Sequence, residues 1–187
     1  VDGWINVQSL PIVESSRSNT SINKNVTLIT PVFTLEEGSN IAIAKVSFDR
    51  PLIFSPDPLN EIAILKNGIL LYRDRASSEK PILGLIPWPI EPIKVGEQYE
   101  LLLRSENALA SEFSKINIIA EDSVNLQSFD LLLDSLGSDE FRWLEIVNDK
   151  LKNDRQLGLA LLFSNRAPNL ESFELLKSKI RKVIGSP

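Results

Sequence analysis

Histidine, cysteine and methionine are all absent from the 187 residues of this chain. Without histidine there is no imidazole general base, no Ser/His/Asp or Cys/His triad and no histidine-ligated zinc or iron. Without cysteine there is no thiolate nucleophile, no iron–sulfur cluster and no disulfide. Catalysis would have to rely on carboxylates, lysine, tyrosine or serine. The composition therefore predicts a non-enzymatic protein with no cofactor, no catalytic residue and no metal site.

The missing methionine also bears on how the chain begins. It opens at Val1 and alternates between polar and apolar residues as far as Val7, as a strand does. We interpret the chain as a mature or trimmed fragment from which a signal peptide or membrane anchor has been removed. No apolar run approaches the roughly 20 residues that a membrane-spanning helix needs, so we expect a soluble fragment.

The net charge of −5 argues against nucleic acid as a partner, because a polyanion binds to a basic surface. An aromatic content of 7% also makes a base-stacking platform a poor expectation. Charge is unevenly divided: residues 1–122 carry 11 Lys and Arg against 16 Asp and Glu, whereas residues 123–187 carry nine of each. We therefore predict two domains, 1–122 and 123–187.

The first domain has the pattern of short strands separated by turns. Apolar and β-branched residues predict strands over 26–35, 41–48, 81–86, 99–104 and 115–120, and Pro31 predicts a bend or an edge in the first of them. Residues 50–58 carry three prolines and are expected to be an extended linker or edge. Asn67-Gly68 lies between two apolar runs, which predicts a type I′ hairpin. Six to eight such strands predict an antiparallel β-sandwich.

A short series of motifs lies within about residues 40–120: Ile62–Leu65, Asn67-Gly68, Leu71-Tyr72-Arg73, Pro81–Ile86, Pro92 and Val95-Gly96-Glu97-Gln98-Tyr99. This series resembles the immunoglobulin-like sandwich of a cyanobacterial exported family of unknown function. The resemblance implies an immunoglobulin-like fold and an extracytoplasmic, periplasmic location. It implies no catalytic residue, because such families carry no established active site.

The second domain has the 3.6-residue period of helices. Apolar residues from Leu126 to Leu136 predict a helix that stops at Gly137, a residue suited to the left-handed position after a helix. Ser138 and Asp154 are predicted to cap two further helices. The last helix carries an apolar stripe that must pack on its neighbours, the sheet or another chain; its predicted partner-docking residues are Phe173, Leu176, Ile180 and Val183. The fold class predicted for the whole chain is α+β, an immunoglobulin-like antiparallel sandwich followed by about four short helices.

Trp88 is the most suggestive single residue, because Pro87 and Pro89 fix the backbone on both sides of it. With Tyr72 and Tyr99 it could form a groove for a proline-rich peptide or a sugar ring. The alternative is that Trp88 belongs to the core, and Trp4 and Trp143 favour the core more strongly still. The neighbouring acids at 36–37, 121–122 and 139–140 lack the spacing of a calcium loop. Asp74, between Arg73 and Arg75, is interpreted as part of a surface ion-pair cluster of little energetic worth.

Three functions remain open from these patterns. The first is a non-enzymatic, extracytoplasmic protein-binding or scaffold module that binds a protein partner or a second copy of itself. The second is a carbohydrate-binding module or a carboxylate-dependent glycosidase, which requires an exposed Trp88 beside two carboxylates. The third is a cytoplasmic interaction adaptor, which differs from the first only in its compartment.

Overall fold

The structure is a computed structural model that describes residue 26 and residues 28–38, 41–121 and 126–184, with only the backbone of residues 183 and 184. Within these residues the chain divides into a sheet unit that ends at Gln127 and a helical unit that begins at Ser128. The predicted boundary after residue 122, like Trp4, lies outside the described residues. The α+β fold class, an immunoglobulin-like sandwich followed by helices, is confirmed.

In the part of the chain that the structure describes, the sheet unit contains seven strands. They are β1 (Thr34–Leu35), β2 (Ala42–Val46), β3 (Ile53–Lys66), β4 (Ile69–Arg75), β5 (Ile82–Ile86), β6 (Gln98–Ser105) and β7 (Ser114–Ala120). The pairing order is β1-β2-β7-β6-β3-β4, with β5 paired to β3. All pairs are antiparallel except β2 with β7, which run parallel. β4 therefore lies at one edge of this order.

The two halves of strand β3 have different neighbours. Ile53–Leu59 pairs with β5, whereas Leu59–Lys66 pairs with β6 on one side and β4 on the other. The register with β5 shifts between Ser55 and Leu59, where Pro56 and Pro58 have no N–H to donate to a ladder. Residues 50–58 were predicted to be an extended linker or edge. Residues 53–58 belong to a paired strand, so the linker alternative was wrong for them.

The predicted strand over residues 26–35 is also shorter than expected. In the described part of that range, only Thr34–Leu35 forms a strand, and Thr30 makes a single bridge to Phe54. The Thr30 hydroxyl donates to the Leu52 carbonyl oxygen at 2.7 Å. A polar contact of this kind fixes the segment against the core without a continuous ladder.

Alternate residues of β2, β3, β6 and β7 point into one apolar core, as the period of two in a strand requires. Its members are Leu28, Ala42, Ala44, Val46, Ile53, Leu59, Ile62, Ile64, Ile82, Trp88, Ile93, Tyr99, Leu101, Leu103, Ile116, Ile118 and Ala120. The opposite face of the same strands carries Glu61 and Ala63 on β3 and Arg104 on β6, which lie in register with β4.

The predicted type I′ hairpin is confirmed between β3 and β4. Asn67 and Gly68 have φ values of 52° and 76°, and both central residues of this turn type need a positive φ. A register shift follows between Ile64 and Leu65, which leaves Leu71 as an extra residue in β4. The turn thus fixes where β4 begins, and the bulge fixes which of its residues face each side.

The helical unit contains α1 (Phe129–Leu136), α2 (Glu140–Asn153), α3 (Arg155–Leu162) and α4 (Glu171–Ile184). Gly137 ends α1 with a φ of 51°, and the Asp154 side chain caps α3 through the Leu157 N–H, both as predicted. The predicted Ser138 cap of α2 was wrong. Asp139 takes that place, because its carboxylate accepts from the backbone N–H groups of two first-turn residues at 3.1 and 3.2 Å.

Two residues show how tightly this unit packs. Trp143 is fully buried, as predicted, and its indole N–H donates to the Gly137 carbonyl oxygen at 3.0 Å. Gly158 lies where α3 crosses α2, so closely that an added Cβ would lie 2.5 Å from the backbone nitrogen of Leu151. Only glycine fits this crossing without a shift of backbone.

Candidate functional site: the β4 edge and the Glu61 cluster

The β4 edge, residues Ile69–Arg75, begins with three consecutive exposed apolar residues. Ile69 is 66% exposed, Leu70 50% and Leu71 46%. Among the described strands, β4 pairs with β3 alone, so its second side has no strand partner there. Edges of this kind are normally protected by charge, proline or a covering element, because they are templates for pairing with another chain. Here three consecutive apolar residues follow the hairpin instead.

The hydrogen-bond alternation shows which backbone groups face the open side. The Ala76 N–H donates to the Asn60 carbonyl oxygen at 2.9 Å, which makes these two residues a hydrogen-bonded pair of the β3–β4 ladder. Bonded and non-bonded pairs alternate in antiparallel sheets. Arg73 and Arg75 therefore occupy non-bonded positions opposite Ala63 and Glu61. Their backbone N–H and C=O groups point away from β3, toward an incoming strand.

The same two arginines belong to a charged group, the Glu61 cluster, which consists of Glu61, Arg73, Arg75 and Arg104. Glu61 is 2% exposed at the centre of β3. Arg73 donates through Nε to Glu61 Oε1, Arg104 Nη2 lies 3.0 Å from Oε2, and Arg75 Nε lies 3.5 Å from Oε2. Strands β4, β3 and β6 bring these side chains to one face by cross-strand pairing.

The carboxylate of Glu61 is ionised despite its burial. Burial raises the pKa of Glu61, but hydrogen bonds from Arg104 and Arg73 and the charges of Arg73 and Arg75 together lower it below its ordinary value. Three guanidinium groups and one carboxylate leave two positive charges in excess. Arg104 is held further by the Phe113 ring, 5.7 Å from its guanidinium carbon. The cluster is thus a fixed cationic patch beside the open side of β4.

The two faces of β4 differ in charge. Arg73 and Arg75 lie on the outer face, whereas Tyr72 and Asp74 alternate with them and lie opposite the core residues Ile64 and Ile62. Tyr72 is half-buried against the core, and Asp74 accepts from Lys80 Nζ at 2.8 Å. Burial, with the Asp74 charge beside it, raises the pKa of the Tyr72 phenol. One face of the edge is therefore cationic, and the other carries the carboxylate of Asp74 paired with Lys80.

The structure does not support the predicted aromatic groove. Trp88 is 6% exposed and Tyr99 is buried as well, with their rings edge to face at 5.7 Å. The Trp88 indole N–H donates to the Glu91 carbonyl oxygen at 2.9 Å. A stacking platform needs an exposed ring face, so Trp88 and Tyr99 do not form one. Trp88 is a core residue, which was its predicted alternative, and the binding role predicted for Tyr99 was wrong because Tyr99 is in the core too. Of the three predicted residues, only Tyr72 lies on the β4 edge.

Tyr99 takes part in a polar contact at the edge of this core. Its hydroxyl donates to Glu97 Oε2 at 2.7 Å, and Lys66 donates to the other oxygen of the same carboxylate. Burial, the hydrogen bond to Glu97 and the charge of that carboxylate raise the pKa of Tyr99 to about 12. The phenol therefore stays protonated near neutral pH and cannot serve as a base there.

The predicted docking stripe on α4 is largely covered within the chain. Phe173 and Ile180 are both 3% exposed, and Leu176 is half-buried. The Val183 side chain lies outside the described residues. Burial removes Phe173 and Ile180 as partner-docking residues, because a docking surface must be open in the free protein. Within the described residues, no three His, Cys, Asp or Glu side chains are grouped to hold a metal ion.

Sequence reasoning passed over Glu61 and gave the neighbouring Arg73-Asp74-Arg75 segment little weight. The sequence does contain one signal for this cluster. Arg73 and Arg75 alternate with Asp74 in a strand, and this spacing places both guanidinium groups on one face. Glu61 lies 12 residues before Arg73, so its carboxylate can only be assigned to that face once the hairpin register is known.

No protein-family model matches this chain, and no curated protein matches it either. Among solved structures it is similar to a Clostridium thermocellum chain described as "CbhA fibronectin(III)-like modules". That match has a TM-score of 0.27 and 10% sequence identity, and it covers 48% of this chain and 98% of the other. A likeness this low carries no argument about function. In the described residues, no helix combines the length and the apolar composition needed to cross a bilayer.

Proposed function

We propose that this protein is a non-enzymatic, extracytoplasmic protein-binding or scaffold module that binds an extended segment of a protein partner along the β4 edge. The observation that carries the proposal is the run of three exposed apolar residues on a strand with an open side. Main-chain hydrogen bonds to such an edge give affinity, and side chains on the two faces give specificity. Covering Ile69, Leu70 and Leu71 would also remove apolar surface from water.

The absence of histidine and cysteine from the sequence supports a non-enzymatic role. The charged groups of the described sheet unit also engage one another: Glu61 with three arginines, and Glu97 with Lys66 and Tyr99. Carboxylates held by cations in this way have lowered pKa values and are poor proton donors near neutral pH. The extracytoplasmic location is proposed from the family resemblance, and cell fractionation with an antibody against the chain would test it.

The test of the binding function is capture of partners from the native source with the full chain as bait. The matched baits are a Leu70→Lys/Leu71→Lys variant and a Leu109→Lys/Leu175→Lys variant, whose leucines are exposed and belong to other segments of the chain. Lysine on an open edge opposes strand addition. We expect the first variant to lose a partner that the wild type and the second variant retain.

Equal capture by all three baits would overturn the β4 assignment. Loss of capture by the second variant alone would move the binding surface to Leu109 or Leu175. Sedimentation of the purified chain separates binding of a partner from self-association, because pairing of two β4 edges would give a concentration-dependent dimer.

A further inference from the structure

The chemistry of the β4 edge narrows what can bind there, provided that the proposed function holds. The open backbone groups belong to Arg73 and Arg75, the two exposed arginines of the Glu61 cluster. These residues are two positions apart, so residues of an added strand that pair with them are also two positions apart and on the same face. Backbone pairing would therefore carry two side chains of the partner to the cationic face.

The guanidinium groups of Arg73 and Arg75 have N–H donors that Glu61 does not use. Arg75 is 63% exposed, and its Nε lies 3.5 Å from Glu61, longer than a strong hydrogen bond. In the described contacts Arg73 uses Nε for Glu61, and a guanidinium carries five donors in all. Together with the two excess positive charges, this leaves room for carboxylates beside Arg73 and Arg75. Arginine pairs well with carboxylates because its planar fork can donate twice.

The opposite face sets a limit on where acids can lie. Asp74 points to the other side of β4, where Lys80 already pairs with it at 2.8 Å, so a partner carboxylate at the intervening position would meet an ion pair with no net positive charge. A third acid at that position therefore gains little, whereas acids at alternate positions both lie beside the Glu61 cluster. Beyond them, Leu70 and Leu71 offer an exposed apolar surface to the same strand.

We propose that the β4 edge binds an extended partner segment with carboxylates at two alternate positions, opposite Arg73 and Arg75, and apolar residues opposite Leu70 and Leu71. In antiparallel addition the acidic positions come first along the partner chain and the apolar positions follow. A second copy of this chain fits less well. Antiparallel pairing of β4 with itself about Tyr72 would place Leu71 against Arg73 and leave both arginine patches unmatched.

The test uses the full chain and a labelled synthetic peptide with glutamates at alternate positions followed by valines. Its control peptide has the same composition with the glutamates adjacent. Fluorescence anisotropy gives the affinity for wild type, Arg75→Glu and Lys45→Glu. Lys45 is an exposed cation on β2, on the same face and four strands away from β4 in the strand order.

We expect the alternating peptide to bind wild type and Lys45→Glu equally, and the adjacent-acid peptide to bind more weakly. Arg75→Glu should weaken the alternating peptide about tenfold, since it removes an ion pair and adds a repulsion. A peptide in which lysine replaces glutamate should then regain affinity for Arg75→Glu. Methylating the backbone nitrogens that face β4 should abolish binding, because the added strand loses its donors.

Three results would overturn the proposal: no saturable binding of the alternating peptide, equal binding by wild type and Arg75→Glu, or full binding of the methylated peptide. If the partner captured from the native source still depends on Leu70 and Leu71 in any of these cases, the proposed function stands and only the acidic, strand-adding partner is wrong. If that capture is also independent of β4, the proposed function fails with it.

Discussion

Each unit of this protein has an apolar segment that is visible in the sequence. Only one of these two segments is buried within the chain. The stripe of α4 is buried at Phe173 and Ile180, whereas the run at the start of β4 is open at Ile69, Leu70 and Leu71. The predicted docking surface was on the helix, and the structure has the open surface on the strand. An apolar pattern shows that a segment has a surface to bury, but it does not show whether the same chain buries it.

The largest expected effect lies in the covered region. Trp143→Ala should lower the free energy of unfolding of the helical unit by about 3–5 kcal/mol, because it removes a fully buried indole and leaves a cavity. Phe141→Ala, on the same helix and 84% exposed, should change it by less than about 0.5 kcal/mol. Urea denaturation followed by circular dichroism measures both. Similar losses in the two variants would contradict the burial described for α2.

A smaller effect is expected at the charged face of the open region, and it depends on pH. Because the pKa of Glu61 is lowered in the folded state, its ionised form stabilises the fold above the unfolded pKa, about 4.3. That contribution is lost as the pH falls through the folded-state value. Glu61→Gln should cost about 1–3 kcal/mol at pH 7, since the three guanidinium groups lose the buried carboxylate that they pair with.

The measurement is thermal unfolding of wild type and Glu61→Gln between neutral and acid pH. The difference between the two proteins should shrink below the unfolded pKa of the glutamate. A difference that stays constant across this range would show that Glu61 acts through packing rather than through its charge. Glu37→Gln, at an exposed acid outside the cluster, is the control and should behave as wild type does.

The smallest expected effect on stability is at the apolar residues of β4 themselves. Leu70→Ala should change the free energy of unfolding by less than about 0.5 kcal/mol, because the side chain is half exposed. Leu103→Ala, fully buried on β6, should cost about 2–5 kcal/mol. Chemical denaturation compares the two. A large loss at Leu70 would mean that this residue supports the fold, which would weaken its assignment to partner binding.

Local signals in the sequence were sufficient for several elements. Asn67-Gly68 fixed the hairpin, because few residue pairs adopt two successive positive φ values. Gly137 marked the end of α1 and Asp154 the start of α3, because glycine and aspartate suit the backbone and hydrogen bonds of helix termini. The prolines at residues 56 and 58 favoured a linker or an edge, and the linker alternative was wrong, because a strand that changes neighbours at that point tolerates residues that cannot donate to a ladder.

The candidate site was predicted only in part. Tyr72 was singled out and does lie on β4, but Trp88 and Tyr99 turned out to be core residues that satisfy their polar atoms locally. Glu61 was not singled out, and Arg73-Asp74-Arg75 was interpreted as a surface ion-pair cluster. Its importance depends on Glu61 and Arg104, which lie 12 and 31 positions from Arg73 along the chain and are its neighbours only across the strands.

The sequence by itself determined the two structural classes along the chain, the hairpin turn and the lack of histidine and cysteine chemistry, because backbone propensity, periodicity and composition are local properties. The tertiary structure decided that Trp88 is buried, that β4 lies at an edge and that three arginines meet one buried carboxylate. Those features depend on which strands become neighbours, and strand order is set by the packing of the whole core rather than by any one segment.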